Sequence, residues 1–212
     1  MSVWSVARCA IRDHIKTIHD RRTKANTKIK TVDKKIVTGA VPAFALIDEL
    51  HLLGKDSNAE AIIGQLKGGM VTVPGAFWAM ITTQSFDPPA GVFKSELKIA
   101  RAIRDGKAPG IDTLPVLYEF SEQQQRDRDF WENPAHWDRL QPNVGRSVWV
   151  ETLVKDYAAE SLKDLGAIRI WASQHLNIEI GVALHDDRWA GADHWGSGRR
   201  AGAYARGALA PV

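Results

Sequence analysis

Apolar positions fall into short runs in the first half of the chain and into helical spacing in the second. Phe44-Ala45-Leu46-Ile47 is an apolar run that stops abruptly at Asp48-Glu49-Leu50-His51. A run of this length predicts a buried strand of a parallel sheet. Gly75-Ala76-Phe77-Trp78-Ala79-Met80-Ile81 predicts a second such strand, and it ends in Thr82-Thr83-Gln84-Ser85. Between them, Ser57-Asn58-Ala59-Glu60 predicts a helix start with Ser57 as cap and Glu60 closing a capping box, the helix stopping near Gly68-Gly69. Asp87-Pro88-Pro89 predicts a turn. Val92 to Arg104 then predicts an amphipathic helix with Phe93, Leu97, Ala100 and Ile103 facing inward. Leu114 to Phe120 reads as a third strand, with Pro115 suiting an edge or entry position.

The ends of the chain differ from this middle. Ile11, Ile15 and Ile18 stand at helical spacing and predict an N-terminal helix, and Lys28-Ile29-Lys30-Thr31-Val32 alternates as an exposed strand does. After residue 121 the pattern changes. Glu122 to Arg128 is polar and helical, Trp131 to Pro142 is irregular, and helices are predicted over Ser147 to Leu165 and Ile168 to Leu176. The composition of residues 196 to 212, mostly Gly, Ala and Arg, predicts a disordered tail. No internal repeat is present.

Composition narrows the class. The 212 residues suffice for one domain with a core, or one with a small appendage. At 44% hydrophobic and 25% charged the chain reads as globular, and no window approaches the apolar length of a membrane span. Cys9 is the single cysteine, so no internal disulfide can form and a reducing compartment fits. The net charge of +3 permits a polyanionic partner. Residues 8 to 35 are strongly basic, with ten Lys and Arg against three acids. They read either as a solvated face or as a surface for DNA phosphates.

Two adjacent acids at the carboxyl end of an apolar parallel strand have the form of a Walker B element. In that chemistry the first acid holds a Mg²⁺-bound water and the second activates the water that attacks the γ-phosphate. The polar ending of the next strand, Thr82, Thr83, Gln84 and Ser85, suits a segment that senses the γ-phosphate, because hydroxyls and amides bond both phosphate and water. The plain alternative for each is a polar strand end. No G-x-x-x-x-G-K-[ST] occurs in the 212 residues: Gly54-Lys55 is followed by Asp56 and Gly106-Lys107 by Ala108. His185, Asp186, Asp187, Asp193 and His194 form either a metal cluster or a solvated acidic loop. Gly196-Ser197-Gly198-Arg199-Arg200-Ala201 follows no strand and is no dinucleotide fingerprint. Cys9 has no catalytic partner in sequence and reads as a small apolar residue.

Taken in order, these segments resemble the large terminase subunit of tailed bacteriophages. They run from Asp13-His14-Ile15-Lys16-Thr17-Ile18 through Phe44 to Leu53 and Ile81 to Ser85. Pro88 to Lys94, Leu114 to Phe120, Gln141-Pro142-Asn143-Val144-Gly145-Arg146-Ser147, His175 to Gly181 and Asp187 to Trp195 follow. The resemblance implies an α/β fold: part of a P-loop NTPase sheet of the additional-glutamate type over residues 1–121, then a helical linker subdomain over 122–195. It implies an ATP-hydrolysing motor that packages double-stranded phage DNA, working with a portal protein, a small terminase subunit and other copies of itself in the bacterial cytoplasm. Asp48 would bind Mg²⁺ through water, Glu49 would be the catalytic base, and Thr82 to Ser85 would couple hydrolysis to movement. The family's Walker A segment and its nuclease acids have no counterpart in this sequence. The expectation is therefore a middle portion of such a protein, inactive alone unless another chain supplies the phosphate loop, or else a remnant that only binds partners.

Overall fold

A computed structural model describes residues 9–12, 14, 16–31 and 41–179. The His185–His194 loop and the segment from residue 196 lie outside the described residues. The chain divides into two compact units. One comprises residues 1–84 and 89–117, the other residues 85–88 and 118–212.

The first unit opens with an antiparallel meander, β1 (Cys9–Arg12), β2 (Thr17–Asp20) and β3 (Asn26–Lys28). The expected N-terminal helix is thus corrected. Ile11 and Ile18 are opposed across a hairpin, and the chain reverses where Lys16 takes a left-handed φ of 47°. Ile15 lies outside the described residues. The strand expected from Lys28 is also shifted: β3 ends at Lys28, and Ile29 adds one further bond, donating its N–H to Lys16 O at 3.0 Å.

Strands β4 (Phe44–Asp48) and β5 (Phe77–Ile81) pair in parallel, Phe44 beside Phe77 and Asp48 beside Ile81, and α1 (Ala59–Met70) connects them. This is a mixed α/β unit with a small parallel sheet. Ala45, Ile47, Trp78 and Met80 share one face. Ile47, Leu50, Ala59, Ile63, Val92 and Phe93 form the core there, with Trp78 and Met80 packed against it. The opposite face is bare: Phe44, Leu46, Phe77 and Ile81 are exposed, the two phenyl rings lying 4.7 Å apart. The expected fully buried strand is therefore covered on one side only. The expected capping box is absent as well, since no side chain caps α1. Asp56 Oδ1 instead accepts the N–H of Asn58 at 2.8 Å, which forms the turn without the Ser57 hydroxyl.

After β4 a 3-10 turn, Leu50–Lys55, lies against the start of α2 (Gly91–Arg104). The approach is close enough to demand glycine. A Cβ on Gly91, whose φ is +47°, would stand 2.4 Å from Gly54 O. Gly91→Ala is expected to destabilise the unit by about 1–3 kcal/mol through clash and backbone strain. Gly68 lies within α1 with nothing within 4 Å of its built Cβ. Gly68→Ala should therefore stabilise by about 0.5–1 kcal/mol. Urea midpoints moving in opposite directions would bear this out, and a neutral Gly91→Ala would refute it.

Residues 111–120 contain no strand, which corrects the third expected one. Pro115 lacks an amide donor, Leu114 and Val116 are exposed, and among the described residues no strand pairs with them.

The second unit is helical: α3 (Glu122–Arg126), α4 (Arg128–Trp131), a 3-10 turn at Pro134–Arg139, α5 (Val150–Ser161) and α6 (Leu165–Leu176). Each short element has its own start signal. Ser121 and Gln124 form a capping box, and Asp127, Asn133 and Asp164 accept the N–H groups of Phe130, Ala135 and Ala167. Asp164 sets the break between the last two helices, so Gly166 falls inside α6 and the helix predicted to run through Leu165 ends at Ser161. Phe120, Trp131, Trp137, Leu153, Ile168, Trp171 and Leu176 build the core. Buried Gln125 is satisfied at both ends, donating to Phe120 O at 2.9 Å and accepting from Glu179 N at 2.8 Å. Burial, and then the hydrogen bond to Glu132, raises the Tyr157 phenol above its ordinary value.

Candidate functional site at the carboxyl ends of the parallel strands

The parallel register brings the ends of both apolar runs together. Asp48 closes β4 opposite Ile81, so Glu49 and Thr82 are the first residues beyond two neighbouring strands. The carboxyl edge of a parallel sheet is where α/β folds place ligands. Asp48 is exposed there, and its Oδ1 accepts the N–H of Glu49 at 3.0 Å. Glu49 takes a left-handed conformation, φ 52° and ψ 51°. For a non-glycine residue this costs about 1–2 kcal/mol. The bend has a structural return: it turns the chain so that Leu50 enters the core, 3% exposed, while the Glu49 carboxylate stays in solvent.

His51 joins the two strand ends. Its backbone N–H donates to Thr82 Oγ1 at 3.0 Å, and its ring Nδ1 lies 3.0 Å from the same oxygen and 3.2 Å from Glu49 Oε2. Thr82 Oγ1 also lies 2.9 Å from Thr83 O, to which its hydroxyl can donate. In the tautomer that protonates Nδ1, the imidazole donates between the threonine oxygen and the Glu49 carboxylate. The ring is held from behind by an edge contact with Phe93, centroids 6.3 Å apart.

Asp48, Glu49 and Thr82 are thus brought together, with Thr83 adjoining. Gln84 is buried. Ser85 groups with the second unit, where its hydroxyl accepts the N–H of Asp87 at 3.2 Å. His51 is the residue the sequence reading passed over. The available signal was its position two residues beyond Glu49, since a chain that reverses at a strand end returns that residue to the neighbouring strand. Among the described residues no group of three His, Cys, Asp or Glu side chains stands ready to hold a metal. No described helix is long and apolar enough to cross a membrane.

The fold has a counterpart among solved structures. The crystal structure of the HK97 bacteriophage large terminase superposes with a TM-score of 0.60 at 15% sequence identity, covering 82% of this chain and 34% of that one. The fold is shared with that terminase. The present chain spans about a third of its length. No protein-family model and no curated protein sequence matches the chain.

His51 and Thr82 can be tested as a unit. His51→Phe preserves the ring against Phe93 but removes the donor to Glu49, and Thr82→Val removes the acceptor. Each loses hydrogen bonds of about 0.5–1.5 kcal/mol, so either variant should lower any turnover that depends on Glu49 about three- to tenfold. The double variant should be no worse than the worse single one. Additive losses would show that the two side chains act separately.

Proposed function

We propose that this chain carries the hydrolytic acids and the coupling segment of a phage or prophage DNA-packaging motor of the large-terminase type. The observation that carries the reading is the juxtaposition of Asp48-Glu49 and Thr82 at adjacent parallel strand ends, in a fold shared with a large terminase. In this reading the sheet is part of a P-loop NTPase of the additional-glutamate type. Glu49 accepts the proton of the attacking water, His51 orients it, and Thr82, Thr83, Gln84 and Ser85 relay loss of the γ-phosphate. Asp48 fits Mg²⁺, a hard cation that takes one or two carboxylates and otherwise keeps waters and substrate phosphates. The ion would neutralise charge on the phosphoryl oxygens of ATP.

The phosphate loop is not among these 212 residues, so a segment or chain beyond them supplies it, and this chain alone is inactive. Double-stranded DNA, a portal protein, a small terminase subunit and further copies of the motor are its partners in this reading, and the bacterial cytoplasm is its place. A second reading, a non-catalytic module that only binds motor partners, is favoured by the bare apolar sheet face of Phe44, Leu46, Phe77 and Ile81. Mixing the chain with a polypeptide bearing the Walker A segment separates the two. Mg-ATP turnover that depends on Glu49 supports the motor. Stable association without turnover supports the module.

A further inference from the structure

The meander β1–β3 concentrates charge that the whole chain conceals. Residues 9 to 31 contain seven Lys and Arg against two acids, although the full chain carries only +3. Three of those cations, Arg21, Arg22 and Lys24, occupy the turn between β2 and β3, and all three are exposed. The acid beside them is engaged by the turn's own backbone. Asp20 Oδ1 accepts the N–H groups of Arg22 at 2.8 Å and Thr23 at 3.0 Å, and its backbone closes the turn through Lys24 N and Ala25 O, both at 2.9 Å. The carboxylate thus shapes the tip. Among the described residues no acid pairs with Arg21, Arg22 or Lys24. On the strands, Arg12 and Lys28 flank Thr17 in one row at the end of β2 away from this turn, so these two exposed cations stand apart from the tip.

The chemistry of the patch selects its partner. Residues 9 to 31 include no Phe, Tyr or Trp. A single-strand platform stacks bases on aromatic rings, and a membrane-surface element anchors with them. A rigid tip bearing guanidinium and ammonium groups without aromatics matches a phosphate backbone. We infer that the β2–β3 turn, through Arg21, Arg22 and Lys24, is a sequence-independent contact for the phosphates of duplex DNA. The choice of DNA among duplex polyanions rests on the motor reading; the charge geometry does not.

The test needs no nucleotide, so its outcome is separable from that of ATP hydrolysis. Binding of the 212-residue chain to a fluorescent DNA duplex is followed by anisotropy across a salt series. Arg21→Gln, Arg22→Gln and Lys24→Gln are made together. They leave Asp20 and the turn backbone intact, and circular dichroism should be unchanged. The plot of log affinity against log salt should become shallower by about 2–3 units, with affinity about tenfold or more weaker at 0.15 M salt. The charge-matched control Lys94→Gln, Lys98→Gln and Lys155→Gln should retain the wild-type slope. An equal loss in the control would reduce the effect to net charge and overturn the assignment. Equal or tighter binding to a single strand of the same length would also overturn it, as would binding to anionic lipid vesicles with none to the duplex.

Discussion

Glu49→Gln is expected to lower Mg-ATP turnover by about 10²- to 10⁴-fold in an assembly that supplies the phosphate loop, with nucleotide affinity within a few-fold of wild type. The amide is nearly isosteric with the carboxylate. Its oxygen can still accept from His51 Nδ1, which lies 3.2 Å from Glu49 Oε2 in the parent chain, and the left-handed backbone is untouched. What it loses is the ability to take a proton. The experiment therefore separates a base from a bystander, because a merely structural carboxylate would be replaced by glutamine at little cost. Single-turnover kinetics with the mixed polypeptides give the rate, and equilibrium binding of a fluorescent nucleotide gives the affinity. Turnover unchanged by the substitution would remove Glu49 from the base role and leave the binding-module reading in front. Asp48→Asn should behave differently. If Asp48 holds Mg²⁺ as proposed, the substitution removes a hard anionic ligand, and the defect should shrink as Mg²⁺ is raised, which a lost base cannot do.

The legible parts of this chain were those where local pattern and tertiary outcome agree. Phe44–Asp48 and Phe77–Ile81 became parallel strands because each is an apolar run bounded by polar residues and separated by a helix long enough to cross over. The pattern could not say that only one face would be covered, since a run such as Phe-Ala-Leu-Ile supplies an apolar residue to either side. Ile11, Ile15 and Ile18 misled because i, i+4, i+7 spacing also places Ile11 opposite Ile18 when the chain reverses between them. Leu114 to Phe120 had a strand's composition, but a strand needs a partner, and a partner is a tertiary fact. At the site, the acids and Thr82 were visible as strand endings. The imidazole between them was not, because its role depends on the bend at Glu49, and a left-handed glutamate has no sequence signature.

Trp137→Ala is expected to cost about 3–5 kcal/mol, the largest effect on stability of any single substitution considered. The indole is wholly buried. It touches Trp171 with ring centroids 5.2 Å apart and Tyr157 at 5.9 Å, and its N–H donates to Trp131 O at 2.8 Å. Three losses therefore coincide: apolar burial, the aromatic contacts, and the donor to a buried carbonyl. The cavity is hard to refill. The residue sits in the 3-10 turn Pro134–Arg139, which has no long hydrogen-bonded ladder of its own to hold it while neighbours relax. Trp149 offers the contrast within the same unit. It is 56% exposed and should lose no more than about 0.5 kcal/mol on truncation. Because the chain forms two compact units, urea unfolding followed by tryptophan fluorescence and by circular dichroism should be fitted for two transitions. Trp137→Ala should move the one that belongs to the helical unit and leave the other in place. A uniform shift of both would mean that the units unfold as one. A shift no larger than that of Trp149→Ala would mean that the aromatic cluster does not hold the helices together.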